Sequence, residues 1–483
     1  MIHGLRCGVL GALVILCLVV PVHAQQHPWQ APPFATEPKA LVAAASRVDA
    51  GDYAAVMLLD DAEYVVAADG SIRSRERIMM LVVTEAGVEW GSEVRAPWAP
   101  WYSERPTIEA RVVTRDGTVH TLDQSAVVEV PADEESDIFS DGRVLRAPLP
   151  AVAVGSVIEY VITRNSKDPI AGAGTATHYY VGGYLPTERT VVTIDAPLEI
   201  ETRFVNKTGV DPRVEEKNGR RRTVFEAGRI EGTRDRDSYV PYDVATHRYL
   251  GFSTGKSWQS IAGSYSAIID KQIAGSDLQK LVRAAIGNTT DRKEVVAKLL
   301  AAIQKDIRYA GVEIGDGSIV PRTPKQILAN KYGDCKDKAA LLVAMLRVAG
   351  FSAHVALLSA GTGFDVQSEL PGLGGFNHAI VVVDGEPAIW VDPTDVFARA
   401  GELPLSDQGR MALVAKPETT TLTRTPETES TAHVYRERRT FVLPEDGKAR
   451  VTEVTEPSGT SEASLRRWIS GFDPKKLREN LEE

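Results

Sequence analysis

Lys331-Tyr332-Gly333-Asp334-Cys335-Lys336-Asp337-Lys338-Ala339 is the stretch on which the reading of this chain turns. It places a cysteine where a helix begins. From Ala339 onward Leu342, Met345, Leu346 and Ala349 form one apolar stripe, and Gly350 supplies the stop. Asp334 stands where an N-cap is needed, and Gly333 permits a tight approach of the chain. A thiol in the first turn of a helix meets the positive end of the helix dipole and unbonded backbone N–H groups, and both favour the nucleophilic thiolate. The same N–H groups suit the oxyanion that forms after attack on a carbonyl. Lys336 and Lys338 add positive charge nearby, while Asp334 and Asp337 oppose it.

The cysteine count sharpens this. The 483-residue chain has three cysteines, Cys7, Cys17 and Cys335. Residues 1–24 read as a secretory signal peptide: Arg6, an apolar run from Gly8 to Val20, Pro21, then Val22-His23-Ala24 with small residues at the cleavage site. Val14-Ile15-Leu16 lacks the small residue that lipid attachment at Cys17 needs. The expectation is a periplasmic or secreted protein that keeps a single thiol and forms no internal disulfide. A lone thiol in an oxidising compartment calls for a reason; the bland alternative is a small buried hydrophobe.

Composition is that of a globular chain, 43% hydrophobic and 25% charged. The formal charge of −10 becomes −11 once Arg6 leaves with the signal, which argues against nucleic acid as a partner. The basic cluster Arg220-Arg221-Arg222 follows Asn218-Gly219 and reads as the solvated end of a hairpin. After residue 24 no stretch is long and apolar enough for a transmembrane segment.

Before the cysteine the texture is β. Residues 25–50 read as a leader with a short helix over Lys39–Val48. From 51 to 265, short alternating runs flank turn dipeptides: Tyr64–Ala67 and Ile72–Val83 around Asp69-Gly70, Ile108–Val113 and Thr118–Leu122 around Asp116-Gly117, and Leu198–Phe204 and Arg222–Phe225 around Asn218-Gly219. Val157–Thr163 and Val191–Ile194 are further strand candidates. An antiparallel β-rich domain of sandwich type is expected there. Near Ser276 the texture turns helical: Leu278, Leu281, Val282 and Ile286, then Asp291 with Glu294 as a capping box, then the stripe Val295, Val296, Leu299, Leu300, Ile303. Thr323 is placed to cap a short helix.

Beyond the cysteine helix the pattern predicts a strand over Ser352–Leu358, a glycine-rich loop over Ala360–Phe376, and a hairpin of Ala379–Val383 with Pro387–Val391. If Asp384-Gly385-Glu386 is a three-residue turn, Val383 lies opposite Pro387. His378 then falls directly opposite Asp392, with Cβ atoms about 5 Å apart. That suits a carboxylate hydrogen-bonded to an imidazole. A thiolate needs such a partner, a histidine held in one tautomer by a carboxylate or amide. Cys335, His378 and Asp392 are therefore the candidate catalytic residues. Taken singly, a histidine at a strand start is a surface residue and Asp392-Pro393 a strand end. Past Lys416 a Thr-rich stretch reads as a linker. Residues 430–483, with a hairpin around Asp446-Gly447 and a charged helix, read as the beginning of a C-terminal β domain.

Tyr332-Gly333-Asp334-Cys335-Lys336-Asp337-Lys338-Ala339, Asn377-His378-Ala379 and Trp390-Val391-Asp392-Pro393-Thr394 resemble, in order and local context, the bacterial transglutaminase-like superfamily. The resemblance covers roughly residues 276–415. It implies a papain-like core with the cysteine on a helix and the histidine and aspartate on adjacent strands, carrying triad roles. The β-rich part resembles, more diffusely, an uncharacterised domain that precedes such cores in bacterial exported proteins. The expected fold is thus multidomain α+β. The expected function is a thiol enzyme acting on a peptide or glutamine amide of a protein or peptide substrate through a Cys335 thioester, by hydrolysis or acyl transfer.

The rival is a non-catalytic cell-envelope binding or scaffold protein with a degenerate core. No metal site or cofactor is expected: there is no His-Glu-x-x-His, no cysteine pair after the signal, no P-loop and no dinucleotide fingerprint. His354 reads as structural, and Tyr309 and Asn377 as supporting groups at most.

Overall fold

The computed structural model describes residues 27–132, 138–167, 173–233, 239–240, 244–361 and 363–482. Residues 1–24, expected from the sequence to be a signal peptide, lie outside the described residues. The β-rich part is built on an eight-stranded sheet in the order Arg213–Lys217, Arg220–Ala227, Thr190–Pro197, Ala55–Val66, Ile72–Val82, Val157–Ser166, Thr107–Val113, Val119–Thr121. All neighbours are antiparallel except Ala55–Val66 with Thr190–Pro197, which run parallel. The Asn218-Gly219 turn is real: both residues have positive φ, 52° and 74°, as a two-residue hairpin turn requires. Its strands, however, are Arg213–Lys217 and Arg220–Ala227. Part of the expected partner, Leu198–Phe204, instead begins a strand, Arg203–Asn206, in a separate three-stranded sheet.

Each face of the large sheet is covered. On one, Val94, Ala96, Leu145 and Ala147 of a small sheet pack against Met80, Ile108, Ala110 and Ile158. On the other lie Trp29, Leu41, Val42 and Ala45, so the N-terminal segment and its helix Pro38–Ala45 are part of the core. A buried ion cluster fastens that segment. Glu159 is fully buried between Arg77 (2.6 Å) and Arg111 (2.7 Å). The second oxygens and remaining guanidinium groups reach outward: Glu159 accepts from the Phe34 N–H, Arg77 donates to Ala31 O and Arg111 to Thr36 O. A buried carboxylate is tolerable only when its lone pairs are filled in this way.

The helical part begins earlier than the periodicity suggests, with the helix Trp258–Ile273 capped by Ser257. It continues through Gln279–Ile286, Arg292–Asp306 and the Thr323-capped Pro324–Asn330 to Cys335–Val348. The last helix is buried on every face from Lys336 to Leu346, so it is the centre of the core rather than a helix with one apolar stripe. It packs on a five-stranded antiparallel sheet ordered Ile389–Val391, His378–Val383, Ala353–Leu358, Met411–Val414, Thr423–Arg424. The Thr-rich stretch past Lys416 is therefore no free linker. It supplies the edge strand, and Thr419, Leu422 and Thr425 are buried.

The two parts interlock. Gly311–Glu313 pairs in parallel with Ile138–Ser140 of the β-rich part, and His178 of that part lies with Nε2 3.2 Å from Gln367 Oε1 of the core. The chain closes with an exposed hairpin, Tyr435–Val442 with Arg450–Pro457, and the helices Thr460–Ser470 and Pro474–Glu482.

Removing Glu159 leaves two buried guanidinium groups facing each other. Glu159→Ala should cost about 3–5 kcal/mol, read as a drop in the urea midpoint. An unchanged midpoint would show that the cluster does not hold the N-terminal segment.

Candidate active site

A short strand, Tyr332–Gly333, lies parallel to Arg308–Tyr309 and delivers the chain to the Cys335 helix. Gly333 is required there, since a Cβ would come within 2.7 Å of the Asp337 Cβ. Asp334 caps the helix: its carboxylate accepts from the Asp337 N–H at 3.2 Å, and the Asp337 carboxylate accepts from the Asp334 N–H at 3.4 Å. Both acids are buried, so each is matched. Lys336 Nζ lies 2.5 Å from Asp334 Oδ2, and Arg322 Nη1 2.8 Å from Asp337 Oδ2. Burial and the neighbouring Asp334 push the Asp337 carboxyl up, with Arg322 opposing. Burial pulls Lys336 down, but the charges of Asp334 and Cys335 outweigh it and the net shift is upward. Cys335 is the first helical residue and is half-buried.

His378 opens its strand at the end of the sheet. Its Nε2 lies 3.3 Å from Asp392 Oδ2, and the Cys335 thiol is near enough to act on the charge of the ring. A carboxylate only accepts, so Nε2 carries the proton. Burial works against the charged ring, yet the hydrogen bonds to Asp392 and Cys335 and their charges hold His378 well above its ordinary value. Asp392 is buried and also accepts from Thr394, from its N–H at 2.8 Å and its hydroxyl at 2.7 and 2.9 Å. Burial alone would raise its carboxyl; the bond to His378, the charge of His378 and the Thr394 bonds bring it below the usual range.

The pairing differs from the register read from sequence. Val383 lies opposite Ile389, Val382 opposite Trp390 and Val381 opposite Val391. The turn is five residues, 384–388, with a cis Glu386–Pro387 bond, where three were expected. His378 and Asp392 are therefore not directly opposed; extending the ladder sets His378 level with Thr394. A slip of two residues preserves the face because side chains alternate with a period of two. Asp392 consequently stays on the His378 side as the diagonal neighbour and still reaches the ring.

Three further groups surround this cluster. Asp407, in the turn Leu405–Asp407, is 1% exposed, and its Oδ2 lies 4.0 Å from His378 Nε2. Sequence reasoning missed it, because no spacing or motif ties a turn aspartate to the hairpin; only the fold brings them together. Lys338, one turn along the helix from Cys335, is fully buried and its Nζ has no hydrogen-bond partner among the described residues. Burial lowers Lys338, while Asp392 and Asp395 oppose the shift. Tyr309 is half-buried; burial and then the charges of Cys335 and Asp334 push its phenol up.

Asn377 is structural: its amide bonds the backbone of Ala360 in both directions. So is His354, paired with Asp384 at 3.2 Å. A cavity of about 540 Å³ lined by Asp395, Leu403, Ser406, His433 and Arg467 touches neither Cys335 nor His378. His378, Asp392 and Asp407 have donor atoms within 4.8 Å of one another. A protonated Nε2 donating to Asp392 cannot ligate a cation, so the trio is an acid–base cluster.

A thiol at a helix start, an imidazole near it and a buried carboxylate bonded to that imidazole are the groups that thiol acyl-transfer chemistry would use. The sequence comparisons agree with that class. Residues 279–391 match the transglutaminase-like superfamily, and residues 68–233 match a domain of unknown function, DUF3857. The chain carries a DUF3857 domain followed by a transglutaminase-like core. No curated protein matches the sequence. Among solved structures it is similar to a putative protease from Parabacteroides distasonis, with 17% identity, a TM-score of 0.61 and coverage of 78% of this chain and 72% of that one. That likeness establishes a shared fold. A putative cysteine protease from Cytophaga hutchinsonii aligns at 14% identity over 59% of this chain and 88% of its own, with a TM-score of 0.25, too low to carry an argument.

The elevated His378 depends on Asp392. In Asp392→Asn the imidazole midpoint followed by NMR should fall by about one unit or more. The linked stability has a defined sign. A histidine raised above its unfolded value of about 6.5 stabilises the fold fully below that pH, and the contribution is lost as pH rises through the folded value. An unmoved midpoint in the variant would detach Asp392 from the ring.

Proposed function

We propose that this protein is an exported thiol enzyme that cleaves or transfers the acyl group of a peptide or glutamine amide through a thioester on Cys335. The observation that carries this reading is the His378 ring, held at 3.3 Å by the buried Asp392 and raised in charge by the nearby half-buried Cys335 thiol at its helix start. Cys335, His378 and Asp392 take the roles of nucleophile, acid–base group and orienting carboxylate.

The Cys335 sulfur adds to the amide carbon, forming a C–S bond and a tetrahedral oxyanion. Backbone N–H groups at the start of the Cys335 helix are the fitting donors for that charge. The oxyanion collapses, the C–N bond breaks, and the imidazolium of His378 gives its proton to the departing amine. The neutral ring then takes a proton from water or from an incoming amine as that nucleophile attacks the thioester. The C–S bond breaks and the thiolate returns, leaving an acid in the first case and a new amide in the second. Asp392, fixed by Thr394, keeps Nε2 protonated so that the other ring nitrogen serves the sulfur. The name of the solved structure that shares this fold, a putative protease, favours a peptide amide as the acyl donor.

Export rests on residues 1–24. Expressed from its own start in a Sec-competent bacterium, the protein should be recovered from the periplasm beginning at Gln25. An intact N-terminus in the cytoplasm would refute export.

The chemistry is tested on the thiol itself. Iodoacetamide should label Cys335, and His378→Ala should slow labelling at pH 6.5 by about tenfold or more while leaving it nearly unchanged at pH 9.5, where the free thiol of ordinary pKa about 8.5 is already ionised. Equal rates at pH 6.5, or an inert thiol in the native protein, would favour the scaffold reading. Cys335→Ala should retain the fold and lose all turnover of amide substrates.

A further inference from the structure

Asp407 is a buried acid beside His378 that the reaction above does not use. Its turn is held on every side. The Asp407 N–H donates to Pro404 O at 3.0 Å, Thr425 Oγ1 donates to Asp407 O at 2.5 Å, and Gly361 N donates to Ser406 O at 2.8 Å. One carboxyl oxygen, Oδ1, accepts from the Ser406 hydroxyl at 2.8 Å. The other, Oδ2, is buried without a partner of standard geometry and is aimed at His378 and Asp392. An ionised carboxylate does not persist with a buried, unfilled oxygen facing a second carboxylate. Two carboxyl groups sharing a site resolve the conflict by holding one proton between them.

We propose that Asp407 is a positioning residue that holds a proton on Oδ2 and shares it with Asp392, so that a neutral acid behind the Asp392–His378 pair sets how strongly the imidazole keeps its charge. This rests on the reading of His378 as the acid–base group. The groups that face Asp407 are few. Asp392 comes from the end of the hairpin and His378 from the start of its strand. From the helix side, Lys338 and Cys335 act on Asp392 and His378 respectively, and Tyr309 feels Asp392. Arg410, three residues on, is turned away to Ser359 O and Asp365. Burial first and the Asp392 charge second, opposed by His378, bring the Asp407 carboxyl up to about 7. The proton is thus present in mildly acidic conditions and leaves to solvent as pH passes about 7. A second negative charge then stands 4.0 Å from His378 Nε2 and holds the imidazolium more tightly.

Asp407→Asn imitates the protonated acid, keeps its shape and cannot ionise. The readouts are the His378 imidazole resonance and the rate of Cys335 alkylation by iodoacetamide, each followed from pH 5 to 10 in the full chain. Native protein should show His378 sensing an inflection near 7 in addition to its own higher midpoint. Asp407→Asn should lose the first inflection and lower the midpoint by about one unit, and the alkylation profile should lose the same component. Superimposable titrations in the two proteins would overturn the proposal, whatever happens to melting temperature, because a merely structural aspartate would alter stability and leave the ring's titration in place. If Asp407→Asn fails to fold, Asp407→Ser carries the same readouts with the same two outcomes. Neither readout needs a turned-over substrate, so absence of amide cleavage by the native protein would count against the proposed function and leave the role of Asp407 to be decided by the titrations.

Discussion

Everything at the site depends on beginning a helix in the middle of the core. A helix start carries unpaired N–H groups, and this one is surrounded by protein from its second residue onward. Where water cannot reach, the two acids fill each other's groups: Asp334 accepts from the Asp337 N–H and Asp337 from the Asp334 N–H. Two acids in a buried place need counter-charges, and Lys336 and Arg322 supply them. Gly333 leaves the space in which the arrangement closes. The result is one helix start at which the charges of the neighbours are internally balanced and the Cys335 side chain still reaches the surface.

The same accounting distinguishes the carboxyl groups around His378. Asp392 has a cationic ring and three contacts from Thr394, so it stays ionised despite burial. Asp407 has one hydroxyl and a negative neighbour, so burial prevails. Environment, rather than residue type, separates a carboxylate from a carboxylic acid a few ångströms away.

What was legible in the sequence follows from which signals are local. The Cys335 helix, its Asp334 cap, the Thr323 cap and the Asn218-Gly219 turn are written in adjacent residues, and the structure has them. Strand partners are less local. The end of Leu198–Phe204 goes to a separate sheet, and only the fold shows that Arg213–Lys217 fills the place beside Arg220–Ala227. The hairpin turn was misjudged by two residues because Pro387 belongs to the turn, yet His378 and Asp392 still meet, since an even slip keeps a residue on its face. Burial of the Cys335 helix on all sides and the strand in the Thr-rich stretch were hidden for another reason. Both depend on what lies across the sheet, which periodicity along the chain does not report. Asp407 is the extreme case, contributed by a turn with no pattern of its own.

The pairing of Gly311–Glu313 with Ile138–Ser140 bears on modularity. Glu313 stands 3.8 Å from Lys336, which in turn counters Asp334 at the helix start. The seam between the two parts is therefore only two ion contacts from the thiol. Excising the core as a separate cassette would strip a partner strand from that segment and expose a bare edge beside the residues that order the helix start. Although the two parts match separate families, they are joined as a single machined piece, and the boundary between them is a matter of ancestry more than of mechanics.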